Sequence, residues 1–139
     1  MFTPAPAFTP TARPLGDLPL CHVRLQDDAR WPWLVMIPRV AGAVELTDLT
    51  EAQRTALMSE IVTASAAVRA VGAAVGVAVE KLNVGQLGNI TRQLHVHVLG
   101  RRVGDPAWPG PVWGVGVAEA YGPDALARAL AAAREALGV

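Results

Sequence analysis

Four short segments of the chain have the apolar pattern of β-strands. Residues 20–26 (LCHVRLQ) and 33–37 (WLVMI) are separated by turn-forming residues, which predicts that they pair as a hairpin. Residues 77–85 (VAVEKLNVG) and 92–100 (RQLHVHVLG) indicate two further strands, joined by the short segment QLGNIT. We therefore expect a sheet built from neighbouring strand pairs.

Two longer segments are predicted to be helical. Thr50 and Gln53 form a capping-box signature, and apolar side chains then recur every three or four residues, which predicts a helix over residues 51–71. A second helix is predicted over residues 123–137, with Gly138 placed to end it. Strand, strand, helix, strand, strand, helix is an order typical of an α+β domain with an antiparallel sheet.

The first part of the chain differs from the rest because it contains five prolines, at positions 4, 6, 10, 14 and 19. Proline fixes φ and lacks a backbone donor, so we expect residues 1–19 to form an extended arm. Residues 20–139 are long enough to form a single domain with its own core, without disulfides or metals.

Composition excludes some classes of protein. The chain of 139 residues is 52% apolar and 17% charged, and its 12 basic and 12 acidic side chains give a formal net charge of zero. A chain without excess positive charge has no field to hold long nucleic acid. Cys21 is the single cysteine, and no apolar run near the N-terminus indicates a signal peptide or a membrane span. We expect a soluble, cytoplasmic protein.

The candidate chemistry lies in the fourth predicted strand. Gln93, His95 and His97 share one face of it, because side chains alternate along a strand. Same-face neighbours stand about 6.6 Å apart, so a phosphate-sized anion can contact both imidazoles. Burying these polar groups without partners would cost about 1–3 kcal/mol each, which favours a face that lines an open pocket. Gly88 and Asn89 have the donors to bind a phosphate, although an ordinary turn explains them equally well.

Two histidines at positions i and i+2 are also compatible with a zinc site. Such a site needs further ligands from Cys21, His22 or a carboxylate, and no ligand spacing in the sequence supports one. We therefore predict neither a metal nor a cofactor.

The residues around the two histidines resemble a known family. The stretch KLNVGQLGNITRQLHVHVLGRR, preceded by WLVMIPR and followed by AWPGPVWG, is similar to the histidine triad (HIT) family of nucleotide hydrolases and transferases over about residues 20–114. The family pattern is His-x-His-x-His. Its first position falls on Gln93, its middle position, the nucleophile of the family, on His95, and its third on His97. The resemblance implies an antiparallel sheet of about five strands with one long central helix and a C-terminal helix.

The resemblance also implies a reaction. Neutral His95 is expected to attack the α-phosphate of a nucleotide, giving a nucleotidyl-histidine that water resolves, with a backbone carbonyl fixing the tautomer of the ring. A protonated His97 would hold a phosphate oxygen or protonate the leaving group. The expected catalytic residues are thus His95, His97 and Gln93, and the expected phosphate-binding residues are Asn83 and Asn89. The implied substrates are a dinucleoside polyphosphate, such as diadenosine tetraphosphate, or a nucleoside phosphoramidate.

Other contacts to a nucleotide stay open at this stage. Ten further residues are candidates for contacts to the base, the ribose or other phosphates, and each can instead be a core, turn or rim residue. They are Leu20, Val23, Leu25, Trp31, Trp33, Asp27, Asp28, Arg39, Arg101 and Arg102. Trp108 and Trp113, in a proline-rich loop, are expected to cap the pocket or to lie at a subunit boundary.

The resemblance implies a symmetric homodimer that binds a small nucleotide substrate. Because glutamine replaces the first histidine of the pattern, the alternative is a nucleotide-binding or scaffold protein with an incomplete triad and little turnover.

Overall fold

A computed structural model describes the whole chain, residues 1–139. Its five strands form one sheet in the order β1-β2-β3-β5-β4, and all neighbours pair antiparallel. The predicted α+β fold, with a long central helix and a C-terminal helix, is confirmed. The elements are β1 (Ala12–Asp17), β2 (Cys21–Gln26), β3 (Trp33–Pro38), α1 (Glu51–Val75), β4 (Lys81–Gly85), β5 (Val96–Arg101) and α2 (Pro123–Leu137).

β1 lies inside the segment that was expected to be an extended arm. Residues 12–17 pair with β2, with a register shift between Pro14 and Gly16, so the prediction of an arm over residues 1–19 was wrong for this part. The physical reason is that β1 is the edge strand of the sheet. An edge strand tolerates proline because one side of its backbone has no partner.

α1 ends at Val75 rather than at residue 71. Gly72 lies inside the helix, where an added Cβ would stand 2.5 Å from the backbone oxygen of Val77. This glycine therefore lets the chain that follows pass close to the helix, and it does not end the helix. Gly76 ends it, in the left-handed conformation with φ 74°.

The last two strands are shorter than predicted. β4 covers only the second half of the predicted segment 77–85, and β5 begins at Val96 instead of residue 92. Just before β5, the Leu94 N–H donates to the carbonyl of Ala43, in the loop after β3, and not to a neighbouring strand. His95 therefore stands where the chain enters β5.

The two faces of the sheet are covered by different parts of the chain. One face packs on α1, with α2 against α1, and forms a core of 21 buried residues. α1 is apolar and long enough to cross a membrane, but here it covers the sheet. The opposite face carries a smaller apolar cluster, covered by the N-terminal segment (residues 2–8) and by residues 107–113. Its buried members are Phe8, Trp31, Trp33, Val35, Ile37, Leu99 and Val112.

A buried carboxylate joins α1 to the start of β2. The two oxygens of Glu60 accept hydrogen bonds from the backbone N–H groups of Leu20 and Cys21, at 2.7 and 2.9 Å. Burial, with Glu60 nearby, raises the pKa of the Cys21 thiol, so this cysteine stays protonated. The carboxylate thus fixes the turn between β1 and β2 against the helix.

We expect Glu60→Ala to lower the free energy of unfolding by about 2–3 kcal/mol, because it leaves two backbone donors without partners. Urea unfolding followed by circular dichroism measures the change. Glu135→Ala, on the exposed face of α2, is the matched control and should change stability by no more than about 0.5 kcal/mol. Equal effects of the two substitutions would contradict the anchoring role of Glu60.

Candidate active site

His95 and His97 line the same open cavity, which has a volume of about 330 Å³ and is called here the histidine cavity. Their ring centroids are 4.9 Å apart, with the planes 82° to each other. The loop 87–91, Trp113 and Gly114 supply the rest of its lining. The two imidazoles therefore project together into a hollow large enough for a phosphate group and part of its ester.

One hydrogen bond determines the tautomer of His95. Its Nδ1 lies 2.7 Å from the backbone oxygen of Gln93. A carbonyl oxygen can only accept, so Nδ1 carries a hydrogen, and in the neutral ring Nε2 is the nitrogen with the free lone pair. Although the residue is only 6% exposed, it is among those that line the histidine cavity.

His97 has the opposite tautomer. Its Nδ1 lies 3.0 Å from Nε1 of Trp33. An indole N–H can only donate, so Nδ1 of His97 accepts and Nε2 carries the hydrogen. Burial, together with the nearby His95, lowers the pKa of His97 from 6.5 to about 4. The expected protonated His97 is therefore replaced by a neutral ring with one N–H donor.

Aromatic side chains surround the two imidazoles. The ring of Phe8 is edge-on to His95 at 5.0 Å, and Trp33 and Trp113 are edge-on to His97 at 5.5 and 5.6 Å. Trp113 can cross β4 because Gly85 has no side chain; an added Cβ there would lie 2.7 Å from the indole. This apolar shell buries His97 and, together with the nearby His95, accounts for its low pKa.

The structure brings only some of the predicted residues to the cavity. Asn89 lies in the loop that lines it. The Gln93 amide is bonded to the N-terminal segment instead: its oxygen accepts from the Ala5 N–H at 2.7 Å and its nitrogen donates to the Thr3 oxygen at 3.0 Å. Asn83 accepts a hydrogen bond from Arg101 at 2.8 Å and does not line the cavity.

The other candidates for nucleotide contacts have partners inside the fold. Trp31 is fully buried, as are Val23 and Leu25 on the helix side of the sheet, so none is exposed to stack on a base. The acidic and basic candidates form ion pairs or bind backbone oxygens: Asp27 with Arg13, Asp28 with Arg30, Arg101 with Asp105, Arg39 with the Leu18 and Pro19 oxygens, and Arg102 with the Arg30 oxygen. Trp108 lies over the Arg101 guanidinium at 5.6 Å.

No set of three His, Cys, Asp or Glu side chains comes close enough to hold a metal ion. His22, one of the residues considered as a zinc ligand, is hydrogen-bonded to Asp17 at 2.6 Å.

The sequence did not predict that Phe8 belongs to the site. The only signal for it was an isolated aromatic residue in a proline-rich stretch, which does not identify its contact.

Comparison with known proteins agrees with this arrangement. The HIT domain model matches residues 10–104, more than half of the chain. The chain belongs to the HIT family. No curated protein matches it. Solved HIT proteins similar to it come from Bradyrhizobium japonicum (38% identity, TM-score 0.90, 98% of each chain covered), Sinorhizobium meliloti 1021 (41%, 0.88, 97% of this chain and 96% of that chain) and Marinobacter aquaeolei VT8 (35%, 0.90, 99% and 97%).

We expect nuclear magnetic resonance titration of this HIT protein to show His97 neutral down to about pH 4. Trp33→Phe frees Nδ1 to take a proton, so the pKa of His97 should rise by about one unit. Trp113→Phe is the control, because its indole nitrogen makes no hydrogen bond. Equal rises in both variants would show that burial alone sets the value.

The same pKa has a consequence for stability. The unfolded chain takes up this proton near pH 6.5 and the folded chain only near pH 4, so the contribution of His97 to stability falls as the pH is lowered through that range.

Proposed function

We propose that this HIT protein is a nucleotide hydrolase or nucleotidyl transferase that attacks an α-phosphate with His95. The observation that carries the proposal is the hydrogen bond from His95 Nδ1 to the Gln93 carbonyl, because in the neutral ring it makes Nε2 the nitrogen with the free lone pair, on a residue of the histidine cavity. A neutral imidazole held in this way is a nucleophile that needs orientation more than activation. Membership of a family of nucleotide hydrolases and transferases supports the same reaction.

In the first step of the proposed reaction, the Nε2 lone pair bonds to the α-phosphorus. The bond from phosphorus to the leaving group breaks, and its electron pair departs with that group. The ring then carries positive charge, which the Gln93 carbonyl stabilises through Nδ1–H. In the second step water bonds to phosphorus and loses a proton to solvent, while the bond to Nε2 breaks. His95 is restored and a nucleoside monophosphate is released.

His97 and Asn89 are proposed to bind the phosphate. Neutral His97 offers one N–H to a non-bridging oxygen, and the Asn89 amide offers another from the loop 87–91. A neutral imidazole is a weak acid for a leaving group. This favours leaving groups that depart as stable anions, as in a dinucleoside polyphosphate such as diadenosine tetraphosphate. A nucleoside phosphoramidate is the second substrate class of the proposal.

Two of the predicted residues have a changed place in the proposal. Gln93 stands at the first position of the family pattern. Its backbone carbonyl accepts the hydrogen bond from Nδ1 that fixes the tautomer of His95. Asn83 has no part in it, because Arg101 already occupies its side-chain oxygen.

A nucleotide-binding or scaffold protein with little turnover is the second candidate. The observation that favours it is the number of imidazoles: two histidines line the cavity, and the side chain two residues before His95 is an amide turned toward the N-terminal segment. Such a protein would bind nucleotide without forming a bond to His95.

We expect acid-quenched reactions with diadenosine tetraphosphate labelled at the α-phosphate to leave label on His95 and to release labelled adenosine monophosphate. His95→Asn should abolish both, because the nucleophile is gone, whereas His22→Asn, a histidine outside the cavity, should change neither. Turnover by His95→Asn would reject the proposed nucleophile. Calorimetric binding of nucleotide with neither label nor turnover would favour the second candidate.

We also infer that the protein is a homodimer. A second cavity of about 380 Å³, lined mostly by apolar side chains, lies between α1 and β4. Met58 and Val84 line it and are 62% and 50% exposed, and Val62 on α1 is 65% exposed. β4 is also an edge strand with unpaired backbone groups. A second copy of the chain covers both the apolar surface and the strand edge, because a two-fold axis beside β4 places each of them against the same feature of the other copy.

Sedimentation velocity should therefore give the mass of two chains. Val84→Glu and Met58→Glu each place a charge in the apolar surface, and we expect either to shift the protein to the monomer by weakening association at least about tenfold. Val117→Glu, a substitution at another exposed valine outside this surface, should leave the dimer intact. A wild-type monomer at micromolar concentration would overturn the inference.

A further inference from the structure

The N-terminal segment lies across the sheet face that carries the two histidines. Phe2 and Ala5 pack against the apolar cluster there, and Phe8 is one of its buried members. The side chain of Gln93 makes two hydrogen bonds to this segment, to residues some 90 positions away in the chain. The catalytic face is thus bordered by the first residues of the same chain.

The donor and the acceptor of the Gln93 amide both have a partner in the backbone of the segment. Its oxygen accepts from the Ala5 N–H and its nitrogen donates to the Thr3 oxygen. Pro4 and Pro6 flank Ala5 and have no N–H, so Ala5 supplies the one backbone donor of that tripeptide. Ala5 has φ −57° and ψ 140°, the polyproline conformation that its neighbours favour, so little chain entropy is lost on docking.

The docked segment leads directly to His95. A short 3-10 turn, Pro6–Phe8, follows Ala5 and brings the Phe8 ring edge-on to the imidazole at 5.0 Å. Phe8 is only 6% exposed and cannot leave without opening the apolar cluster. His95 is therefore held on Nδ1 by the carbonyl of Gln93 and on its ring by Phe8, which the amide of Gln93 docks.

From this arrangement we propose that Gln93 is a positioning residue. Its amide docks the N-terminal segment, and the docked Phe8 keeps the His95 ring at the angle that aims Nε2 into the histidine cavity. The inference rests on the proposed function of His95 as nucleophile. This positioning role differs from a direct role, in which the Gln93 amide would bind the phosphate itself.

Docking is measured without any substrate. Gln93→Met keeps the length of the side chain and removes both hydrogen bonds. We expect chymotrypsin to cleave after Phe8 about tenfold faster in this variant, because cleavage follows the undocked population. Gln26→Met is the control. It removes a side-chain amide that makes no hydrogen bond within the chain, and this variant should be cleaved at the wild-type rate.

The hold on His95 is measured by its modification with diethyl pyrocarbonate, located by peptide mass spectrometry. Gln93→Met and Phe8→Leu, a variant chosen to preserve the apolar cluster, should each raise the rate at His95 several-fold and leave His22 unchanged. With diadenosine tetraphosphate, each should lower kcat about tenfold with KM within about twofold of wild type. The double variant should be no worse than either single one, because both remove the same contact.

Three results would overturn the proposal: a lower kcat in Gln93→Met without faster cleavage after Phe8, faster cleavage with unchanged kcat and unchanged modification of His95, or additive losses in the double variant. If the wild-type protein turns over no nucleotide, the proposed function fails, but cleavage and modification still decide whether Gln93 docks the segment and holds His95.

Discussion

The register of β5 between β3 and β4 determines which side of the sheet His97 faces. Val96 and Val98 pack toward α1, so His97 has to face the other side of the sheet, opposite Val35 on one neighbour and Gly85 on the other. A slip of one residue would bury the imidazole under the helix and turn the valines toward the cavity. The large core on the helix side therefore stabilises the register, and the register positions the chemistry.

The hydrogen-bond partners of both histidines are neutral groups. A backbone carbonyl accepts from Nδ1 of His95, and an indole N–H donates to Nδ1 of His97. The arginines near the sheet are paired with carboxylates or backbone oxygens. In the proposed reaction, an anionic phosphate that enters the cavity meets hydrogen-bond donors, and the positive charge develops on His95 during the attack itself.

The sequence predicted the parts of this molecule that depend on local patterns. Strand alternation was enough to place His95 and His97 on one face. Helical spacing was enough to find α1, and Pro123 and Gly138 were enough to place α2. It missed β1, because proline reads as a strand breaker unless the strand is known to be an edge. It also missed the partnerships of Trp33 with His97 and of Phe8 with His95, which join residues more than sixty positions apart and depend on which loop covers the sheet.

Gln93 recognises the peptide groups of residues 3 and 5, not their side chains. The exposed side chain of Thr3 is therefore free to vary, whereas position 5 has to keep a small apolar residue that packs on the cluster. A comparison of aligned sequences would score position 3 as variable and unimportant. Its peptide group nevertheless supplies one of the two hydrogen bonds that hold the segment beside His95.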